Sequence, residues 1–100
     1  MKRLFFILRT RGANWNRERT LEEQEGWDEH AAFMNSLAEE GFIVMGGPLE
    51  GTPNVLLLAM AQSEDDVRTR LAADNWAQLD LLRVERVAPW DVKLGIWQKT

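Results

Sequence analysis

Val55-Leu56-Leu57-Leu58-Ala59-Met60-Ala61 is the longest apolar run in the chain, and Gln62-Ser63-Glu64-Asp65-Asp66 follows it at once. Seven apolar residues are far too few to cross a bilayer. A run of that length after a loop with Gly51 and Pro53 reads as a strand over Asn54 to Ala61. The serine and the three acids behind it read as a helix start, with the hydroxyl capping and the carboxylates on the positive end of the dipole. That helix reaches about Asp74. The unbroken character of the run matters as much as its length, because a strand with one wet face alternates and a strand covered on both faces does not.

Leu4-Phe5-Phe6-Ile7-Leu8 has the same character. It places a first strand over Lys2 to Thr10, ahead of an Arg/Gly/Asn-rich loop from Arg11 to Arg19. Thr20 and Glu23 have the spacing of a capping box, and the helix they open runs to Gly41, a natural residue just past a helix end. Gly26 within it costs about 1 kcal/mol relative to alanine, so the first turn is expected to be separate or irregular. Phe42 to Met45 reads as a short strand closed by a tight turn at Gly46-Gly47-Pro48. Leu79 to Val87 reads as the last strand, and Pro89-Trp90 starts a tail to Thr100. The order β-α-β-β-α-β predicts a ferredoxin-like α+β fold: a four-stranded antiparallel sheet with two helices on one face. Two helices cannot cover both faces of such apolar strands. A symmetric homodimer packed sheet to sheet is the simplest remedy.

One hundred residues, 45% apolar and 28% charged, imply one soluble domain spanning 1–100. Without cysteine there can be no disulfide, thiolate nucleophile, cysteine-ligated zinc or iron–sulfur cluster, and the composition fits a cytoplasmic protein. The apolar part of the N-terminal segment ends after five residues at Arg9, too soon for a signal peptide. Net charge is −4. Its distribution is uneven, with the arginines gathered early and the bulk acidic, which argues against nucleic acid or a membrane as partner. Arg9, Arg11, Arg17 and Arg19 suit either an anionic ligand at a pocket mouth or pairing with Glu22, Glu23 and Glu25.

The chain has one histidine, His30, and it falls on the apolar stripe of the first helix beside Trp27, Ala31, Met34, Leu37 and Ala38. A buried imidazole needs partners for its ring nitrogens. On the second helix Val67 and Leu71 mark the apolar stripe, and Asp74 continues it at the C-terminal end, where a carboxylate opposes the dipole. In this fold the two helices share a sheet face, so the ring and the carboxylate can meet. Such a pair holds the ring in one tautomer and suits proton transfer near neutral pH. It equally suits a purely structural hydrogen bond.

"HAAFMNSLAEEGFIVMGGPLEG", "VLLLAMAQSEDDVRTRLAADNW" and "LLRVERVAPWDVKLG" together resemble the YCII-related (YciI-like) family of the dimeric α/β-barrel superfamily. The resemblance spans Met1 to about Gly95 and implies a ferredoxin-like subunit paired sheet to sheet. It also implies an active-site pair at His30 and Asp74, a pocket rim at Gly47 and Pro48, and an aromatic wall at Trp76. The family usually carries proline directly after the aspartate, where this chain has Asn75. The Asp-Gly-Pro-Phe signature of one branch is absent. A relative acts as a dehydrochlorinase on a chlorinated hydroxyquinol, and the superfamily includes isomerases, cofactor-free monooxygenases and haem enzymes. The resemblance therefore implies a cofactor-independent lyase or isomerase acting on a small molecule. The alternative is a non-catalytic small-ligand-binding or accessory dimeric domain.

Trp27, Trp76, Trp90 and Trp97 suit a cavity for flat ligands, with Trp27 or Trp76 stacking on the substrate, or else a packed interface. No metal site is expected: Glu64, Asp65 and Asp66 serve the helix dipole, and one histidine without cysteine cannot hold zinc within one chain. Haem would need His30 as axial ligand, and 100 residues leave little wall for a macrocycle.

Overall fold

A computed structural model of the chain describes residues 1–95. Four strands, β1 (Arg3–Arg11), β2 (Ile43–Pro48), β3 (Asn54–Ala61) and β4 (Leu82–Pro89), form one antiparallel sheet in the order β2-β3-β1-β4. The helices α1 (Trp27–Glu39) and α2 (Glu64–Ala72) make the two long crossings, and a one-turn helix α3 (Asn75–Gln78) leads into β4. This is the ferredoxin-like α+β arrangement. Among the described residues, no helix is long and apolar enough to cross a membrane.

Period-two alternation sorts the strands into two faces. Phe5, Ile7, Leu57, Ala59 and Val87 are buried, and they pack with Leu37 of α1 and Val67 and Leu71 of α2. Leu4, Phe6, Leu8, Leu56, Leu58 and Met60 point the other way and remain half-buried.

Several boundaries follow local chemistry. Thr20 N–H donates to Glu23 Oε1 at 2.9 Å, but the turn it opens is a short 3-10 segment, Leu21–Glu23. Gly26 breaks the chain there at φ 71°, a left-handed conformation that costs glycine little, and α1 starts after it. α1 ends in a Schellman motif: Phe42 N–H donates to Leu37 O, Gly41 N–H donates to Ala38 O, and Gly41 has φ 82°. Ser63 Oγ accepts from Asp66 N–H at 3.1 Å to cap α2.

Three expectations need correcting. Gly46-Gly47-Pro48 is no turn: it continues β2, pairing with Leu57, Leu56 and Val55. β2 lies at the sheet edge, where proline costs no ladder hydrogen bond, and a side chain at position 46 would collide with that of Leu57. The last strand begins at Leu82 rather than Leu79, because Leu79 closes α3 and Asp80 turns at φ 56°. Finally, α2 stops at Ala72, so Asp74 does not oppose its dipole from inside the last turn. It caps α3 instead, where a carboxylate is favoured.

Candidate functional site

Asp74 reaches the core through that cap. Its Oδ1 accepts from Trp76 N–H at 3.0 Å, and its side chain is fully buried. His30, on the first turn of α1, places Nδ1 2.8 Å from Oδ1 and 2.9 Å from Oδ2 of the same carboxylate. Arg9 Nη1 lies 3.0 Å from Oδ2 as an ion pair. The structure thus joins the imidazole and the carboxylate that the two helix stripes singled out, and it adds a buried guanidinium. Arg9 carries on the inward face of β1 after Phe5 and Ile7. The same alternation in the sequence marks it, as a cation on a core stripe rather than part of a solvated loop.

Burial works against ionisation of Asp74. The hydrogen bonds from His30 and Trp76 N–H, with the Arg9 charge, outweigh it and hold the carboxyl below its ordinary value. Burial likewise lowers the Arg9 guanidinium, and Asp74 opposes that change. An ionised carboxylate can only accept, so His30 Nδ1 carries the proton of this bond. In the neutral ring the lone pair then sits on Nε2, which among the described residues makes no hydrogen bond.

The ring is held on its faces as well as at its edge. His30 stacks on Trp76, centroids 3.9 Å apart and planes within 4°, and Trp15 meets Trp76 edge-on at 5.6 Å. Trp27 tilts toward both at 5.9 and 5.8 Å. Two further bonds dock the α3 turn against the start of α1: Trp76 Nε1 donates to Glu25 O at 2.7 Å, and Asn75 Nδ2 donates to Gly26 O at 3.0 Å. Asn75 therefore ties the turn across to the helix that carries His30.

His30, Trp27, Trp76, Gly47 and Pro48 all line one cavity of about 320 Å³, together with Arg9, Met34 and the unanticipated Trp15. Asp74 does not line it; it stands behind His30. A larger hollow of about 750 Å³ lies beside Arg11, Arg17 and Gly51, but none of its lining residues is buried. Trp90 lies exposed beyond β4, away from His30, and Trp97 falls outside the described residues.

The loop arginines do not make the glutamate pairs expected of them. Among the described residues, none of Arg11, Arg17 and Arg19 pairs with Glu22, Glu23 or Glu25. Arg11 lies over the Trp15 ring at 4.4 Å, and the loop is closed by buried Gln24, whose Nε2 donates to Asn16 O at 2.7 Å while Oε1 accepts from Asn16 N–H. No sequence signal distinguishes Gln24; only the structure shows it buried. Among the described residues, no group of three metal-binding side chains forms.

No family model matches the chain, and no curated protein matches it in sequence. Several solved structures share its fold, among them the following two. The 5-chloro-2-hydroxyhydroquinone dehydrochlorinase of Burkholderia phenoliruptrix AC1100, in complex with 2,5-dihydroxybenzoquinone, superposes with a TM-score of 0.57 at 23% identity, over 96% of this chain and 99% of that one. The protein YJCS superposes at 0.52 and 14% identity, over 93% of this chain and 100% of that one. At these identities the likeness establishes the fold.

Proposed function

We propose that this is a YCII-related protein of the dimeric α/β-barrel superfamily, working as a cofactor-independent lyase or isomerase on a small, flat, oxygen-bearing molecule. One observation carries the reading: His30 is gripped at Nδ1 by a fully buried carboxylate while Nε2 is left unbonded in a ring that lines a tryptophan-walled cavity. In this reading His30 takes up a proton at Nε2 and returns it, and Asp74 fixes the tautomer and stabilises the imidazolium formed between the two steps. Asp74 is then a positioning residue. Trp27 offers a ring face to the ligand, since the face of Trp76 is occupied by His30, and Gly47 and Pro48 border the ligand from β2.

The family reading is supported by the helix histidine, the Gly-Gly-Pro and the aspartate–aromatic pattern, and by the fold shared with the dehydrochlorinase. A cavity of about 320 Å³ lies at the small end of ligand pockets and admits one ring of the size of 2,5-dihydroxybenzoquinone. The half-buried outer face of the sheet, with the cross-strand pairs Leu4–Met60 and Phe6–Leu58, supports a homodimer packed through it. Phe6→Glu should then yield monomers in sedimentation.

The test is chloride release from 5-chloro-2-hydroxyhydroquinone, with 2,5-dihydroxybenzoquinone binding followed by tryptophan quenching. His30→Gln should keep binding and lose on the order of 100-fold or more in turnover. Turnover unchanged in His30→Gln would sink the mechanism. The non-catalytic reading draws on Asp74, whose three polar partners all come from the protein. It expects ligand binding without turnover in the wild type, and a His30→Gln variant that is less stable but binds as before.

A further inference from the structure

Arg9 is 1% exposed, yet it spends only one corner of its guanidinium on the protein. Nη1 meets Asp74 Oδ2 at 3.0 Å and Met34 Sδ at 4.0 Å. Nε and Nη2 are buried and have no hydrogen-bond partner among the described residues. Those two nitrogens share one edge of the planar group, the edge whose parallel N–H bonds match two oxygens of a carboxylate. A complete bidentate fork therefore stands unused on a residue that lines the His30 cavity.

The surroundings match an anion. Arg11 also lines the cavity, and among the described residues it makes no ion pair, whereas no aspartate or glutamate lines it. Asp74 neutralises one positive charge, so the lining as a whole remains positive. Trp27, Met34, Val55 and Leu57 are among its other walls and favour a flat apolar body. Arg9 also borders a smaller cavity of about 250 Å³, where Arg68 and Arg83 already hold Glu64 and Asp80.

We infer that the His30 cavity selects a planar organic anion, and that Nε and Nη2 of Arg9 bind its charged oxygens while the ring lies against Trp27. The inference rests on the reading of this cavity as the ligand site. In it Arg9 and His30, held on the two oxygens of one carboxylate, act on the same bound molecule. Arg9 sets the orientation and His30 moves the proton.

Benzoate and benzamide, equal in shape and different in charge, test it. In a 15N-resolved NMR titration of the wild type, benzoate should shift the Arg9 Nε–H signal and show NOEs from its ring protons to Trp27. Benzamide should bind at least about tenfold more weakly. Arg9→Lys keeps a cation for Asp74 and loses the fork, so benzoate should bind about tenfold more weakly there. Equal binding of the two probes, an unmoved Arg9 Nε–H, or NOEs to Leu71 and Ala77 of the smaller cavity would each overturn the inference. If Arg9→Lys does not fold, the wild-type comparison still decides. Benzoate binding is read without turnover, so failure of His30 catalysis leaves the Arg9 fork standing, while failure of the fork shows as equal binding of the two probes.

Discussion

The imidazole of His30 lies parallel to the indole of Trp76, 3.9 Å between centroids, while the carboxylate two residues earlier, Asp74, holds its edge. One turn of chain thus supplies both grips on the same ring. Trp76→Leu should lose roughly 3–5 kcal/mol in urea denaturation, because a fully buried tryptophan is replaced and the ring loses its stacking partner. Trp76→Phe keeps a ring against His30 and loses the bond to Glu25 O and part of the indole volume, so it should cost clearly less. Equal losses in the two variants would show that stacking contributes nothing.

The tautomer of His30 follows from its partner. Nitrogen-15 shifts of the neutral ring should report a protonated Nδ1 and a free Nε2. In Asp74→Asn the preference should weaken, since the amide offers both an acceptor and a donor. A proton found on Nε2 in the wild type would contradict the hydrogen bond as assigned.

Acid should weaken the fold through Asp74. Its carboxyl lies lower in the folded chain than in the unfolded one, so its stabilisation is complete above the unfolded value, about 3.9, and is lost as pH falls through the folded value. Urea midpoints between about pH 6 and pH 3 should drop more steeply below about pH 4 in the wild type than in Asp74→Asn. Glu23, lowered by its Thr20 hydrogen bonds, and Asp80, lowered by Arg83, titrate in both proteins and cancel in the comparison. Parallel acid limbs would refute the assignment.

Asn75 and Gly26 form the clasp between the two helices of the site. Asn75→Ala should cost about 1 kcal/mol through the lost bond to Gly26 O. Asn75→Pro loses the same bond but suits the first position of α3, so its thermal midpoint should lie above that of the alanine variant. Gly26→Ala should cost more than about 1 kcal/mol, for φ is 71° and the new Cβ would stand 2.5 Å from Asn75 Nδ2. A Gly26→Ala variant as stable as the wild type would count against this geometry.

Periodicity and end signals in the sequence determined the element order, the ferredoxin-like α+β class, the Ser63 cap and the Gly41 helix end. These depend on neighbours a few residues apart. His30 and Asp74 were legible for a related reason, as polar groups on apolar stripes. Arg9 obeyed the same rule on β1, yet the loop that follows it drew it into a cluster of charges.

Tertiary structure alone decided the rest. β2 runs through Gly-Gly-Pro because it lies at the sheet edge beside Leu57, and strand order is set by long-range pairing. Asp74 serves as a cap rather than a misplaced helix end because α2 stops at Ala72. That Asn75 spans to Gly26, 49 residues away, and that Trp76 stacks on His30 instead of standing free for a ligand, depends on how separate segments dock. Local patterns carry no information about that distance, and the unused fork of Arg9 appears only once every neighbouring acceptor is in place.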